Sequence, residues 1–371
     1  MRTSQTPHTG GSLVARRKRR SSALAFLNAL LTLLILGVIA LGGAAYWGIT
    51  QFYEAGPKTE ETAFLIEKGS GFNSIGTRLE ESGLISNSLL FRAGVWATAK
   101  DAKVIPGQYL IPANASMADI IKVLTETKPQ EFFVNVIPGE TSWQVAQRMN
   151  DPAQSLTGDP IVVPAEGTLL AERHDFFPGD TRTSLIEAMQ QKMKDEVARI
   201  WASRNPVIDE VIKSPEELVI LASLVEKETG VETERPQVAS VFVNRLKKGM
   251  RLQTDPSVIY GITKGQGPLG RGLTRAELNE KTPYNTYQID GLPPGPIANP
   301  GTAALEAVAK PADTNYLYFV AKGTSPKDGH LFAATYAEHR KNVALYRKAE
   351  DEAAREELEA QEASQAGDTT E

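Results

Sequence analysis

Between Ala23 and Ile49 the chain runs for 27 residues without a charged side chain. That exceeds the roughly 20 residues a helix needs to cross a bilayer, even allowing for Asn28 and Thr32. Arg16-Arg-Lys-Arg-Arg20 precedes the run, and basic residues on that side predict that the N-terminus stays in the cytoplasm. The remainder then lies outside, in the periplasm of a cell with two membranes. A cleaved signal peptide, cut near Gly42-Gly43-Ala44, is the competing reading. The run is too long for a typical signal core, and Trp47, Phe52 and Tyr53 look like an interfacial aromatic belt. A single retained anchor in the inner membrane is therefore expected.

Charge is divided unevenly. Residues 1–22 carry six basic and no acidic groups, whereas residues 347–371 carry three basic and nine acidic ones. The chain's net charge of −5 thus leaves an acidic middle, which gives no reason to expect nucleic acid as a partner. With zero cysteines there is no disulfide framework despite export, so the core must hold itself together. The roughly 300 residues outside the membrane are ample for that and suggest two or more domains. Without cysteine or a phosphate loop, and with four histidines, the chemistry falls to carboxylates. His330 and His339 are spaced too loosely for a metal site and read as surface residues. No metal or other cofactor is implied.

Two carboxylates stand at the end of a capped helix. Ser214 is a natural N-cap, Pro215 suits the first helical position, and Glu217 completes a capping box. Val219, Ile220, Leu221, Leu224 and Val225 form a broad apolar stripe at helical spacing. Gly230 sits where a left-handed C-terminal cap is expected, so the helix spans 215–229. Glu228 follows Leu221, Leu224 and Val225 by seven, four and three residues and emerges on the apolar face. The negative end of the macrodipole and partial burial both disfavour its charge, and a protonated carboxyl is what a general acid needs. Glu226 points about 160° away and reads as a solvated surface charge. The bland alternative is that both glutamates simply cover a helix end.

The order of residues around and beyond this helix is more specific. Leu221-Ala-Ser-Leu-Val-Glu-Lys-Glu-Thr-Gly230 is followed by Val238-Ala-Ser-Val-Phe-Val-Asn-Arg-Leu246, a second amphipathic helix with Gly249 close behind. Then come Leu252-Gln-Thr-Asp-Pro-Ser-Val-Ile-Tyr-Gly261, Thr282-Pro-Tyr-Asn-Thr-Tyr287, Gly291-Leu-Pro-Pro-Gly-Pro-Ile-Ala-Asn-Pro-Gly301 and Tyr316-Leu-Tyr-Phe-Val320. In this order they resemble the endolytic murein transglycosylases, the MltG or YceG-like family, over residues 64–346 and most densely over 221–300.

The resemblance implies cleavage of the β-1,4 bond between N-acetylmuramic acid and N-acetylglucosamine in nascent peptidoglycan strands near the membrane, limiting their length. The implied reaction is lytic: the muramic acid 6-hydroxyl attacks C1 and leaves a 1,6-anhydro end, so one glutamate suffices where glycosidases use two carboxylates. Glu228 is expected to be that acid/base, with Glu226 the runner-up; Glu228-Thr229 resembles the Glu-Ser pair of other lytic transglycosylases. Gln253, Thr254 and Asp255 are candidates for binding N-acetyl groups or steadying the oxocarbenium. Asn285, Thr286 and Tyr287 are expected to line the glycan groove, and Tyr260 and Tyr284 to stack on sugars. For each, the alternative is that it shapes a turn or caps an element, as Asp255-Pro256 and Gly291-Leu-Pro-Pro would. Peptidoglycan synthases are the implied protein partners.

Three segments share a pattern of strand, turn and helix: Leu65-Ile66 through Leu79, Leu110-Ile111 through Leu124, and Val134-Asn-Val136 through Met149. Ile75, Arg78 and Leu79 correspond to Val145, Arg148 and Met149. This is reminiscent of the glycan-binding LysM module, although three short matches are also what generic α+β units would give. One stretch departs from the family. After Glu166-Gly167 the expected Pro-Asp-Thr-Tyr type string is displaced to Phe176-Phe-Pro-Gly-Asp-Thr-Arg182, with Gly179 inserted and Arg182 in the tyrosine's place. Residues 184–204 read as a long helix, and residues 349–371 as a prolonged, fraying helical tail too poor in apolar residues to build a core.

The expected architecture is α+β: a basic segment (1–22), one transmembrane helix (23–49), a linker (50–63), a LysM-like region (64–150), a mixed α/β catalytic domain (151–346) and an acidic tail (347–371). A peptidoglycan-binding scaffold that keeps the fold without cutting is the alternative, motivated by the altered 166–182 segment. A hydrolase pairing Glu228 with Asp255 is a third reading, favoured by a carboxyl separation of about 5–9 Å.

Overall fold

The computed structural model describes residues 18–99, 102–152, 156–325 and 327–368. Residues 1–17, which hold most of the basic segment, lie outside it. The chain divides into two compact units, Met1–Gln130 and Glu131–Glu371.

The first unit begins with α1 (Lys18–Tyr53), whose apolar stretch Leu24–Tyr53 is long and apolar enough to cross a membrane. It continues as β1 (Thr62–Ile66), α2 (Phe72–Glu81), α3 (Ser88–Thr98), β2 (Gly107–Ile111) and α4 (Met117–Glu126). The two strands pair antiparallel, Thr62 opposite Ile111 and Ile66 opposite Gly107. Strand alternation turns Phe64, Ile66, Tyr109 and Ile111 inward, where they meet Ile75 and Leu79 of α2, Phe91 and Val95 of α3, and Ile120 and Leu124 of α4. Phe52 belongs to this core and is 9% exposed, so it is withdrawn from the expected aromatic belt; Trp47 and Tyr53 remain exposed.

The second unit opens with β3 (Phe132–Asn135), α5 (Ser142–Asn150) and β4 (Arg173–Phe176), the strands pairing antiparallel. All three segments of the strand, turn and helix pattern thus take that form. The third one, grouped by sequence with the region before it, is built into the second unit. The departing stretch has a structural account. Gly179 turns the chain at φ +98°, a conformation that favours glycine. The buried Arg182 donates to the carbonyls of Met149 and Gly158, each at 2.8 Å.

Next come α6 (Arg182–Ala202), α7 (Pro215–Glu228), α8 (Arg235–Lys247), α9 (Asp255–Thr263), α10 (Arg275–Asn279) and α11 (Thr302–Ala309), then a hairpin of β5 (Tyr318–Ala321) and β6 (His330–Ala333), and finally α12 (Tyr336–Asp368). Helix α7 is the centre. Every residue from Leu218 to Val225 is buried, against side chains of α6, α8 and α11 such as Ile200, Phe242 and Leu305. It starts as its sequence requires, with Ser214 Oγ accepting from the Glu217 amide at 3.3 Å. Two details of its ends differ from expectation. Glu217 returns its carboxylate to the amide of Lys213, at 2.6 Å, one residue beyond a capping box. At the other end Thr229 turns to extended backbone, φ −138°, so no left-handed glycine is used at Gly230. That device follows α8, where Gly249 has φ +63°.

Leu221 is fully buried at the middle of this cluster. Leu221→Ala is expected to lower the stability of the second unit by about 2–5 kcal/mol. Urea unfolding of the two chains in detergent micelles measures the difference.

Candidate active site

The buried course of α7 delivers two glutamates at its last turn, and the surrounding elements treat them differently. Glu226 is not a solvated surface charge. Its side chain is 3% exposed and ion-paired with Arg235 of α8 at 3.0 Å. Its second oxygen accepts from the Gly301 amide, the N-cap of α11, at 2.9 Å. The carboxylate thus ties α7 to the starts of two other helices, where anionic charge is favoured.

Glu228 has no such cation bonded to it. It is half-buried, and its Oε1 accepts a hydrogen bond from the Thr254 hydroxyl. Burial is the largest influence and pushes its carboxyl above the usual carboxylate range; the charge of Asp255 pushes the same way. The Thr254 hydrogen bond, His330 and Arg245 oppose the shift. The result is a carboxyl biased toward its protonated form beside polar groups that still support its anion.

Thr254 is itself placed by a buried network. It sits at the N-cap of α9 but its hydroxyl makes no cap bond, because that hydroxyl is turned to Glu228. The Thr254 amide donates to Thr286 Oγ1 at 2.9 Å, and Ser257 Oγ lies 2.9 Å from the same hydroxyl and donates to the Thr254 carbonyl at 2.8 Å. Asn285 and Thr286 are fully buried. Asn285 Nδ2 donates to the carbonyls of Glu277, Leu278 and Glu280. Their expected place in the groove lining is therefore replaced by a structural one: they hold the loop that holds Thr254. Tyr287 is the member of the trio that reaches the site, donating its hydroxyl to Asp255 Oδ1 at 2.7 Å. Burial, followed by that carboxylate, pushes the Tyr287 phenol upward, so it stays a donor.

Gln253 is exposed and held at φ +52°, uncommon for a residue with a side chain. Its amide bonds the Thr286 carbonyl at 3.2 Å. Such local strain, on the order of 1 kcal/mol, persists where the surroundings over-determine it, and here the bond to Thr286 fixes the backbone immediately before Thr254.

Tyr260 is five residues along α9 from Asp255, roughly 140° around the helix, and belongs to a different cluster. Its ring meets Tyr284 at 5.0 Å between centroids, and its hydroxyl hydrogen-bonds Glu166. Burial pushes that carboxyl up, while the Ser142 amide holds it at 2.7 Å. Tyr260 lines a groove of about 480 Å³ with Thr141, Ile259 and Arg271, whereas Glu228 does not. The same groove is lined by Lys227 and Pro256, the chain neighbours of Glu228 and Asp255.

Other groups join Glu228 without having been singled out by sequence. Arg245, buried on α8, donates to the carbonyls of Leu252 and Leu317, each at 2.6 Å, and its guanidinium lies over the Tyr318 ring at 5.4 Å. Burial lowers its affinity for a proton, and Tyr318, Tyr287 and Glu228 raise it. His330 is not a surface histidine: its side chain is 15% exposed and its Nδ1 lies 2.9 Å from Glu234. His339 stacks on Tyr318 at 5.1 Å. Arg245 and Tyr318 lie inside the strings that carry the family resemblance, but nothing in their spacing marks them as neighbours of Glu228. Among the described residues no group of three or more His, Asp or Glu side chains is arranged to hold a metal ion.

A model described as the YceG-like family matches residues 64–345, and the chain belongs to that family. Endolytic murein transglycosylase of Bacillus subtilis strain 168 is 29% identical over 346 residues, 85% of this chain and 93% of its own length. The endolytic murein transglycosylase of Streptococcus pneumoniae serotype 2 strain D39 is 29% identical over 329 residues; the alignment takes in 75% of this chain and 57% of that protein. A crystal structure of a yceG-like protein from Listeria monocytogenes shares 30% identity with a TM-score of 0.47, covering 76% of this chain and 98% of that one.

The sign of the Glu228 shift has a consequence for stability. A carboxyl whose folded pKa exceeds its unfolded one stabilises fully below the unfolded value and loses that contribution as pH rises through the folded one. Glu228→Gln is therefore expected to be more stable than the wild type at neutral pH, with the gain disappearing near pH 4. Denaturant midpoints measured across that interval test it.

Proposed function

We propose that this protein is a membrane-anchored lytic transglycosylase that cuts the glycan strands of peptidoglycan, with Glu228 as its acid/base. The observation that carries the reading is the partly open Glu228 carboxyl, raised by burial yet hydrogen-bonded by Thr254. It sits in a family whose relatives are named endolytic murein transglycosylases. The protonated Glu228 gives its proton to the glycosidic oxygen as the bond from that oxygen to muramic acid C1 breaks. The C1 cation is steadied by Asp255, whose carboxylate is oriented by Tyr287. The muramic acid 6-hydroxyl then adds to C1 and returns its proton to Glu228, which leaves a 1,6-anhydro end and consumes no water. Thr254 supports the transient carboxylate, and Arg245 and His330 lend it positive potential. Gln253, held beside Thr254, is the candidate for an N-acetyl contact.

The anchor is α1, with the N-terminus cytoplasmic and the catalytic unit on the outer face of the inner membrane, where it meets nascent strands and limits their length. The first unit is proposed to hold glycan in a LysM-like manner; its strand, two helices and returning paired strand support that. Association with peptidoglycan synthases follows from the same placement. Residues 64–130, 131–346 and 347–371 are proposed as the functional divisions, the β3–α5 segment going with the catalytic part in place of the sequence-based boundary at 150.

The test uses the full chain and uncross-linked peptidoglycan, with product ends identified by mass spectrometry. Wild type is expected to yield anhydro-muramic ends, at a rate that falls as pH climbs through the raised Glu228 pKa, and Glu228→Gln to yield none while remaining folded. Reducing ends would overturn the lytic mechanism in favour of hydrolysis. Glu226→Gln separates the two glutamates: it leaves Arg235 unpaired in a buried setting and is expected to cost on the order of 3 kcal/mol of stability, with the folded fraction still cleaving.

A further inference from the structure

Helix α3 is amphipathic in an unusual sense. Its inner side sends Phe91 and Val95 into the core, as any surface helix would. Its outer side, however, is Leu89, Ala93, Trp96 and Ala97, all exposed, with Leu89 and Trp96 each 70% exposed. These positions fall at i, i+4, i+7 and i+8, one continuous face, and none is charged. Arg92, the helix's one charged residue, is turned aside to donate to Thr77 Oγ1 at 2.7 Å.

This face is placed by α1. Gly48 of α1 lies against Leu90, 3.4 Å from where a Cβ would stand. Phe52, one turn on, packs so tightly on Gly94 that a Cβ there would overlap its ring. Leu90 and Gly94 are also one turn apart, so α1 and α3 run side by side in the same direction. The apolar stretch of α1 comprises the 30 residues Leu24–Tyr53, about 45 Å of helix at 1.5 Å per residue, which matches a bilayer with its headgroup layers. The contacts to α3 lie in the last six of those residues. Leu89 is then level with Trp47, and Trp96 stands just beyond the level of Phe52. Around that level α1 exposes Tyr46, Trp47 and Tyr53, amphipathic aromatics of the kind that settle at a membrane interface.

We propose that α3 lies in the outer interface of the bilayer that α1 crosses, with the Leu89–Ala93–Trp96 face against lipid. Two helices, pinned to each other through Gly48–Leu90 and Phe52–Gly94, then hold the first unit at a set height and rotation on the membrane. An uncharged face with an outer Trp, continuous with the spanning helix, is what an interfacial segment presents to lipid. The inference rests on the reading of α1 as an anchor.

The chain has no cysteine, so nitroxide labels can be placed one at a time on the full chain in vesicles of phosphatidylethanolamine and phosphatidylglycerol. Labels go at Leu34→Cys in the middle of α1, at Leu89→Cys and Trp96→Cys, and at Lys122→Cys, exposed on α4. Collision with oxygen reports lipid and collision with a soluble nickel chelate reports water. The expected order of depth is position 34, then 89, then 96, with 122 fully in water and position 89 at least several-fold less accessible to nickel than 122. If positions 89 and 96 match 122 while 34 is lipid-like, the docking is overturned and the anchor stands. If 34 is also water-like, the anchor fails and the docking with it. Spin–spin broadening at 89 or 96 that vanishes on dilution with unlabelled chain would put a second copy on this face and overturn the lipid assignment.

Discussion

The second unit depends on the complete burial of one helix. From Leu218 to Val225 every residue of α7 is buried, none more than 9% exposed, so α6, α8 and α11 must pack around it, each burying an apolar stripe of its own. A helix enclosed on all sides has no surface on which to leave polar groups until it ends. Both glutamates of its final turn are therefore delivered into the interior, and each needs a local solution for a carboxyl leaving water.

The two solutions define the site. Glu226 meets a cation and a helix N-terminus and becomes a tie between α7, α8 and α11. Glu228 receives one hydroxyl, with Arg245 and His330 farther off, enough to tolerate ionisation without enforcing it. One carboxyl is thus tied into the packing of three helices, and the other is left able to exchange a proton. The difference lies in partners brought from α8, α9 and the loop before α11.

The hydroxyl that meets Glu228 is held by residues with no direct view of substrate. Thr254, Ser257 and Thr286 satisfy one another, and Asn285 fastens three carbonyls of the preceding loop. Buried polar groups carry a full desolvation penalty unless all are paired, so this cluster admits one arrangement. That arrangement aims Thr254 and leaves Gln253 in a left-handed conformation.

Much of this was legible in the chain itself. Ser214, Pro215 and the apolar spacing that follows determine α7 locally, because caps and helical periodicity act within a few residues. The uncharged length of 23–49 determines a helix able to span a membrane, and the ordered strings from Leu221 to Tyr318 determine family membership. What the tertiary structure decided were the partners. Periodicity put Glu226 on the solvent side because it assumes one buried face, whereas α8 and the start of α11 cover the side of α7 that carries Glu226. Asn285 and Thr286 looked like groove residues because their polarity is visible in sequence while their burial is not. Phe52 read as part of an aromatic belt until Gly94, forty-two positions away, gave its ring a place in the core. Arg245 and His330 approach Glu228 only once α8 and the β5–β6 hairpin close around it. Spacing along a chain reports an element's own geometry; which charge, hydroxyl or ring stands opposite is set by contacts between residues far apart in sequence.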